Sequence, residues 1–375
     1  MQNQFPVINQ LIHLNHAAVG PWPQQTADVI KQFADENIQQ GSLHYAKWMA
    51  VESQLREAFK TLINAQSADE IALVKNTSEG LSFVAYGLDW KAGENVVGIQ
   101  QEFPSNRFAW ESLSTQSVEF RKLDMAGQAD PEQALFDLCD ANTRLISISA
   151  VQYYNGLRMD LQRVGNFCRE NNILFCVDAI QQLGALPFDV QAIAADFVIA
   201  DGHKWMLAPE GLGVFYVREQ IMDRLSIKQY GWHMTSKLKD YTQQDFEIES
   251  SARRFECGSP NMIGIHALNS SLQLLLDIGL SEIGDRVLQR SRYLIQALQA
   301  MNDIELITLD SSERLSGIVT FRHKRVSDSD LYRHLTEHSV LCAPRGGGIR
   351  LSPHFYTPLQ QLDEVLELIA QAARG

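Results

Sequence analysis

Cysteine is scarce in this chain. Five residues (Cys139, Cys168, Cys176, Cys257 and Cys342) lie scattered through 375, with no CxxC pair. That leaves no disulfide framework to read and no metal site to expect, and reduced thiols in a cytoplasm are the simplest state. Positive charge is short as well. Lys and Arg number 32 against 45 Asp and Glu, a net charge of -13. This is the wrong sign for nucleic acid or an anionic membrane surface. No apolar run reaches the length of a membrane span. The first 23 residues lack the basic start and apolar core of a secretory signal, so a cytoplasmic location is expected. Repeats, low-complexity tracts and an appended DNA-binding helix-turn-helix are also missing. No GxGxxG follows an early strand, which disfavours a doubly wound dehydrogenase. The one glycine run, Gly346–Gly348, sits near the C-terminus in the wrong context.

What is present is an ordinary globular composition, 45% hydrophobic and 21% charged, long enough for two domains. From about residue 70 to 217 apolar β-type runs recur at Asn95–Ile99, Val118–Leu123, Leu145–Ser149, Leu174–Asp178, Asp196–Ala200 and Gly213–Val217. Helical segments such as Asp130–Asn142 and Leu161–Asn171 lie between several of them. Alternation of this kind predicts an α/β fold with a mostly parallel sheet covered by helices, whose ligands sit at the C-terminal strand ends. After Val217 the pattern changes to long helical periodicity over 261–300, then to short strands and a helix over 303–352. A closing amphipathic helix follows at Pro358–Ala373. The expected division is a large domain over 21–260 and a smaller α+β domain formed by 1–20 with 261–375.

Two segments carry the strongest chemical signal: Asp178-Ala-Ile-Gln181, ending one apolar strand, and Asp201-Gly-His-Lys-Trp205, following another. A lysine beside apolar surface is desolvated and can form a Schiff base with an aldehyde cofactor. A strand-end aspartate can hold a pyridine nitrogen protonated, which makes the ring an electron sink. A solvated Lys204 and a turn-capping Asp178 are the plainer alternatives. Lys75-Asn-Thr-Ser-Glu-Gly80 opens a helix and offers hydroxyls and free N–H groups to a phosphate, or simply an N-cap at Thr77 or Ser78. Phe255-Glu-Cys-Gly-Ser-Pro-Asn261 is a turn where Gly258 and Ser259 can meet an anion, or only lead into the next helix. In Arg345-Gly-Gly-Gly-Ile-Arg350 the second arginine sits in an apolar strand and needs an anionic partner, either a protein carboxylate or a substrate carboxylate.

Taken in order from Leu14-Asn-His-Ala-Ala18 to the last helix, these segments resemble the class V aminotransferase family of fold-type I pyridoxal-phosphate enzymes. That group includes cysteine desulfurases, selenocysteine lyases, kynureninase and isopenicillin epimerase-like proteins. The resemblance implies pyridoxal 5'-phosphate as cofactor, an α-amino acid as substrate, and a homodimer with shared active sites. It gives Lys204 the covalent aldimine, Asp178 the pyridinium nitrogen and Gln181 the phenolic oxygen. Thr77, Ser78 and His203 would hold the phosphate, and Phe103 would stack on the ring. Arg350 would grip the substrate carboxylate, while Asn15 and His16 line the substrate pocket. Gly258 and Ser259 would reach the neighbouring subunit's phosphate.

The chain departs from the desulfurase pattern in several places. Phe103-Pro104 stands where desulfurases place a histidine. Cys342 lies in a strand-like VLCAP, only eight residues before Arg350, which favours a packed thiol over a catalytic one. Asp201 replaces a phosphate-binding serine, so it must point elsewhere or act through a neighbour. Which of Gln152, Tyr153 and Asn155 faces the cofactor stays open. A pocket wall of Phe103, Tyr153, Trp232 and His233 points to a substrate with an apolar or aromatic side chain. Transamination, elimination, side-chain cleavage and racemisation share the same core residues. A protein that binds the cofactor without turnover is the competing reading.

Overall fold

The computed structural model describes residues 2–238, 240, 242 and 245–372. In chain order the elements begin with β1 (Ile12–His13), α1 (Gln24–Gln40), α2 (Tyr45–Ile63), β2 (Ile71–Val74), α3 (Thr77–Gly87) and β3 (Asn95–Ile99). They continue through α4 (Ser105–Glu111), β4 (Glu119–Leu123), α5 (Pro131–Asp137), β5 (Thr143–Ser149), α6 (Leu161–Glu170), β6 (Leu174–Asp178), β7 (Phe197–Asp201) and β8 (Gly213–Val217). The remainder comprises α7 (Met262–Ile278), α8 (Leu280–Gln299), β9 (Ile304–Leu306), β10 (Val319–His323), α9 (Asp328–Glu337), β11 (Val340–Leu341), β12 (Ala343–Arg345), β13 (Gly348–Leu351) and α10 (Leu359–Gln371). Ala373 of the expected closing helix lies outside the described residues.

A seven-stranded sheet has the order β2-β8-β7-β6-β5-β3-β4. The β3–β4, β3–β5, β5–β6 and β6–β7 pairs are parallel, while β8 runs antiparallel to both β7 and β2. The central strands are buried along their whole length because helices cover both faces, and their sequences are accordingly near-continuous apolar runs. Side-chain caps start the helices between them. Asp130 accepts from Gln133 N with Pro131 at the first helical position, Asp160 accepts from Arg163 N, and Asn261 accepts from Gly264 N.

A second sheet, ordered β12-β13-β10-β9, is antiparallel throughout. The short strand β1 pairs with β11 and brings the N-terminal segment onto this part of the molecule. Packing does not break at residue 260. Ile265, Leu268, Leu272 and Leu275 of α7 belong to the core of the large sheet. Helix α8 begins in that core with Ile283 and Val287 and ends in the core of the second sheet with Leu294, Ile295 and Leu298. Among the described residues no single helix is long and apolar enough to cross a membrane.

Candidate active site

The C-terminal ends of β6 and β7 deliver Asp178 and Asp201, and the turn after β7 delivers His203 and Lys204. All four line one cavity of ≈ 280 Å³, together with Thr77, Ser78, Phe103, Gln181 and Arg350. Sequence-distant candidates therefore meet at one place, where an open α/β sheet binds its ligands.

Lys204 is 8% exposed. Burial brings its amine down to about 8, and the Arg350 and Arg345 charges add to this against the opposing pull of Asp178 and Asp201. Its Nζ lies 5.5 Å from the centre of the Phe103 ring, which meets Tyr153 edge-on at 5.4 Å. The N-terminal segment holds the turn in place. Gly20 N donates to His203 O at 2.8 Å, and a Cβ at Gly20 would stand 2.2 Å from Lys204 O, so only glycine allows this approach.

Asp178 is buried, and burial raises its carboxyl to about 6 against the Ile180 N–H and the Lys204 charge. The Ile180 N–H donates to Oδ1 at 3.1 Å. Gln181 accepts from Trp205 Nε1 at 2.9 Å and donates to Ala17 O at 3.0 Å, which fixes its amide at the cavity edge.

The helix cap differs from the expectation. Asn76, not Thr77 or Ser78, caps α3, its side chain accepting from Glu79 N at 2.9 Å. Thr77 becomes the first helical residue, and its buried hydroxyl has no partner. Ser78 Oγ donates to Ser105 Oγ at 2.8 Å. Asp201 Oδ1 stands 3.0 Å from His203 Nδ1, an ion-pair distance without hydrogen-bond direction. The carboxylate thus lies beside His203 at the cavity wall.

Arg350, on β13, is 2% exposed. Its Nη1 donates to Tyr153 O at 2.8 Å, its Nε is buried without a partner, and burial with the Arg345 charge brings it down to about 10. No protein carboxylate pairs with it among the described residues.

Several expectations need correction. His16 does not line the cavity. It is fully buried, its Nδ1 donating to Ser352 O at 2.8 Å and its Nε2 accepting from Tyr356 at 2.6 Å. Asn15 also stays outside; the next residues, Ala17, Ala18 and Val19, form the wall. Trp232 and His233 are absent from the wall too, His233 being buried 3.9 Å from Glu52 and 3.7 Å from Glu256. Gly258 and Ser259, expected to serve a neighbouring subunit and not their own, line a separate cavity beside Lys75 and Glu79, which leaves that expectation standing.

Among the three undecided residues, Tyr153 lines the cavity. Gln152 instead donates to buried Glu102 at 2.9 Å, and Asn155 accepts from Leu157 N. Cys342 packs in the second sheet's core, and burial pushes its thiol up to about 12. Sequence reasoning assigned no role to Arg345 and Ser105, which also line the cavity. Their signal was weak, a charge and a hydroxyl inside segments already explained by a neighbour.

These groups suit one kind of ligand. A buried hydroxyl without a partner at a helix start fits a phosphate, an aspartate with a single backbone donor fits a protonated pyridine nitrogen, and a depressed amine fits an aldehyde. The class-V aminotransferase model matches residues 12–353. The chain belongs to the class-V aminotransferase family. Its cofactor is pyridoxal 5'-phosphate, and it is an enzyme of that cofactor class. A probable cysteine desulfurase of Methanothermobacter thermautotrophicus is 28% identical over 396 residues, covering 99% of this chain and 97% of the relative. Two structures of C-DES share the fold. One, a mutant with glycine covalently linked to the PLP cofactor, has a TM-score of 0.92 at 21% identity and covers 100% of this chain and 99% of its own. The other, the cystine C-S lyase with its reaction product cysteine persulfide, has a TM-score of 0.90 at 22% identity and covers 99% of each chain.

Proposed function

We propose that this chain cleaves a carbon–sulfur bond in an α-amino acid without using a thiol of its own. The Lys204 cavity, which holds an amine, a carboxylate and an unpaired guanidinium but no cysteine, carries the amino-acid chemistry without a thiol, and the relatives named cysteine desulfurase carry the choice of sulfur. When bound, pyridoxal 5'-phosphate supplies an electron sink conjugated to the substrate's amino group. Lys204, held near neutrality by burial, takes and returns the proton at the substrate Cα. Asp178 keeps the proton on the ring nitrogen. Arg350 binds the α-carboxylate and orients the amino acid toward Lys204. Phe103, whose ring lines the cavity 5.5 Å from Lys204 Nζ, would offer an apolar surface to the cofactor ring.

The relative named as a probable cysteine desulfurase supports sulfur chemistry, and the buried Cys342 argues against sulfur transfer to that thiol. Transamination is the second reading, favoured by the same absence of a thiol from the wall.

A homodimer is proposed from the family resemblance, which has Gly258 and Ser259 reach a second subunit's phosphate; their place outside their own Lys204 cavity is consistent with it. Cytoplasmic residence is proposed as well, and five free cysteines support it. The test is an absorption spectrum of cofactor-loaded protein before and after a panel of amino acids that includes cysteine, cystine and kynurenine. A visible band that is perturbed and returns while sulfide or persulfide accumulates supports the reading. Permanent conversion to the pyridoxamine form establishes transamination instead.

A further inference from the structure

The Lys204 cavity carries one more cation than the proposed chemistry uses. Arg345 ends β12 and lines the cavity with Arg350. It is exposed, and among the described residues it has no carboxylate partner. Its position is set by the backbone. Gly346 and Gly347 turn the chain at φ 65° and 77°, conformations that glycine adopts freely. A Cβ at Gly346 would stand 2.5 Å from Tyr154 O, so this turn is pressed against the segment that also supplies Tyr153. Across the hairpin Arg345 pairs in register with Gly348, and Ala343 pairs with Arg350. The two guanidiniums thus rise from adjacent strands of one short hairpin, one buried at the base and one exposed.

A single substrate carboxylate satisfies Arg350, whose buried Nε and remaining donors can take it in the forked geometry guanidinium favours. Arg345 is then left for the part of the substrate beyond the α-carbon; the cavity's carboxylates are Asp178, Asp201 and Glu210, and none of them forms an ion pair with Arg345. Its charge adds to burial in disfavouring the cationic forms of both Lys204 and Arg350. An anion beside Arg345 relieves that repulsion, whereas a neutral side chain leaves it in place.

We propose that Arg345 selects an α-amino acid whose side chain ends in a second anionic group, such as a dicarboxylic or disulfide-linked amino acid. This substrate class rests on the proposed amino-acid chemistry at Lys204, and adds a second anion site to a wall that keeps Phe103 and Tyr153.

The test uses cofactor-loaded full-length protein whose loading has first been verified by its borohydride-sensitive visible band. Without that band the Lys204 reading itself fails, and selectivity is not the cause. With the band present, binding constants are measured spectroscopically for aspartate against asparagine, glutamate against glutamine, and cystine against cysteine. Calorimetric binding of succinate and glutarate against propionate and butyrate gives a readout independent of turnover. The expected result is a preference of about tenfold for at least one ligand with a second carboxylate over its counterpart without it, as a charge-assisted hydrogen bond supplies. Arg345→Gln should reduce that preference to about twofold or less while binding of the counterpart holds, and Arg345→Lys should restore part of it. No preference in the wild type, a preference that Arg345→Gln leaves intact, or an equal loss for ligands with and without the second carboxylate would each overturn the proposal. An equal loss would assign Arg345 to the α-carboxylate alongside Arg350.

Discussion

Strands β6 and β7 have a cavity at each end, and the two ends differ in how their charges are satisfied. At the N-terminal end a cavity of ≈ 540 Å³ is lined by Leu174, Asp196, Arg218 and neighbours. Asp196 there is 5% exposed and fully engaged. It accepts from Phe175 N at 2.9 Å and from Arg218 at 2.9 and 2.5 Å. At the C-terminal end the cavity is smaller, ≈ 280 Å³, and Asp178 is 2% exposed with one backbone donor. One aspartate holds the structure together, while the other is left poised by it. Volume does not mark the active site. Buried polar atoms without protein partners separate the two: Thr77, Asp201, His203 and Arg350 bring them to the smaller cavity, and no residue lining the larger one has any.

The largest effect expected from this contrast is at Lys204. Lys204→Ala should lower turnover by a thousandfold or more, on the order of what loss of nucleophile and proton carrier together costs. Steady-state rates on the best amino acid of the panel check this. Next, Asp178→Asn should cut turnover by about a hundredfold. It should also leave thermal stability unchanged or slightly raised, because a buried carboxylate is removed whose desolvation outweighs the pull of the Lys204 charge and the Ile180 N–H. Asp196→Asn should do the reverse. It weakens a buried, partly exposed ion pair and should cost about 1–3 kcal/mol by chemical denaturation, with cofactor loading preserved. If both substitutions acted alike on stability and loading, the distinction between the two ends would collapse.

A pH series sharpens the same point. Lys204 is cationic below about 8 and a free amine above it. Covalent capture of added cofactor by apoprotein should therefore accelerate as pH rises through that value, measured by stopped-flow absorbance. Below about 6 Asp178 gains its proton, so cofactor affinity should fall there. The smallest effect is expected at Cys342. Cys342→Ala should cost about 1–2 kcal/mol of stability and leave sulfide release from cysteine or cystine unchanged. Lost release would restore the thiol to the mechanism.

The central strands and Lys204 were legible in the sequence because five-residue apolar runs ending in Asp178 and Asp201 leave few other readings. Helices α1 and α2 were less so. Helix α1 buries only Thr26, so its sequence shows no apolar stripe. His16 looked like a pocket residue because nothing local reveals that Ser352 and Tyr356, more than 330 positions away, take both ring nitrogens. Thr77 was misplaced by one position as a cap because Asn76 competes for the same role. That shift left its hydroxyl buried without a partner, which only a structure can show. Arg345 was visible but unassigned, since a charge next to glycines reads as a solvated turn until the hairpin is folded beside Arg350.

The account's central claim is that the cofactor attaches at Lys204, and borohydride reduction of the loaded protein followed by peptide mass spectrometry tests it most directly. A pyridoxyl-phosphate mass on the peptide containing Lys204, absent from Lys204→Ala, is the predicted result. The same mass on Lys75 or another lysine, or no modified peptide in protein saturated with cofactor, would contradict it.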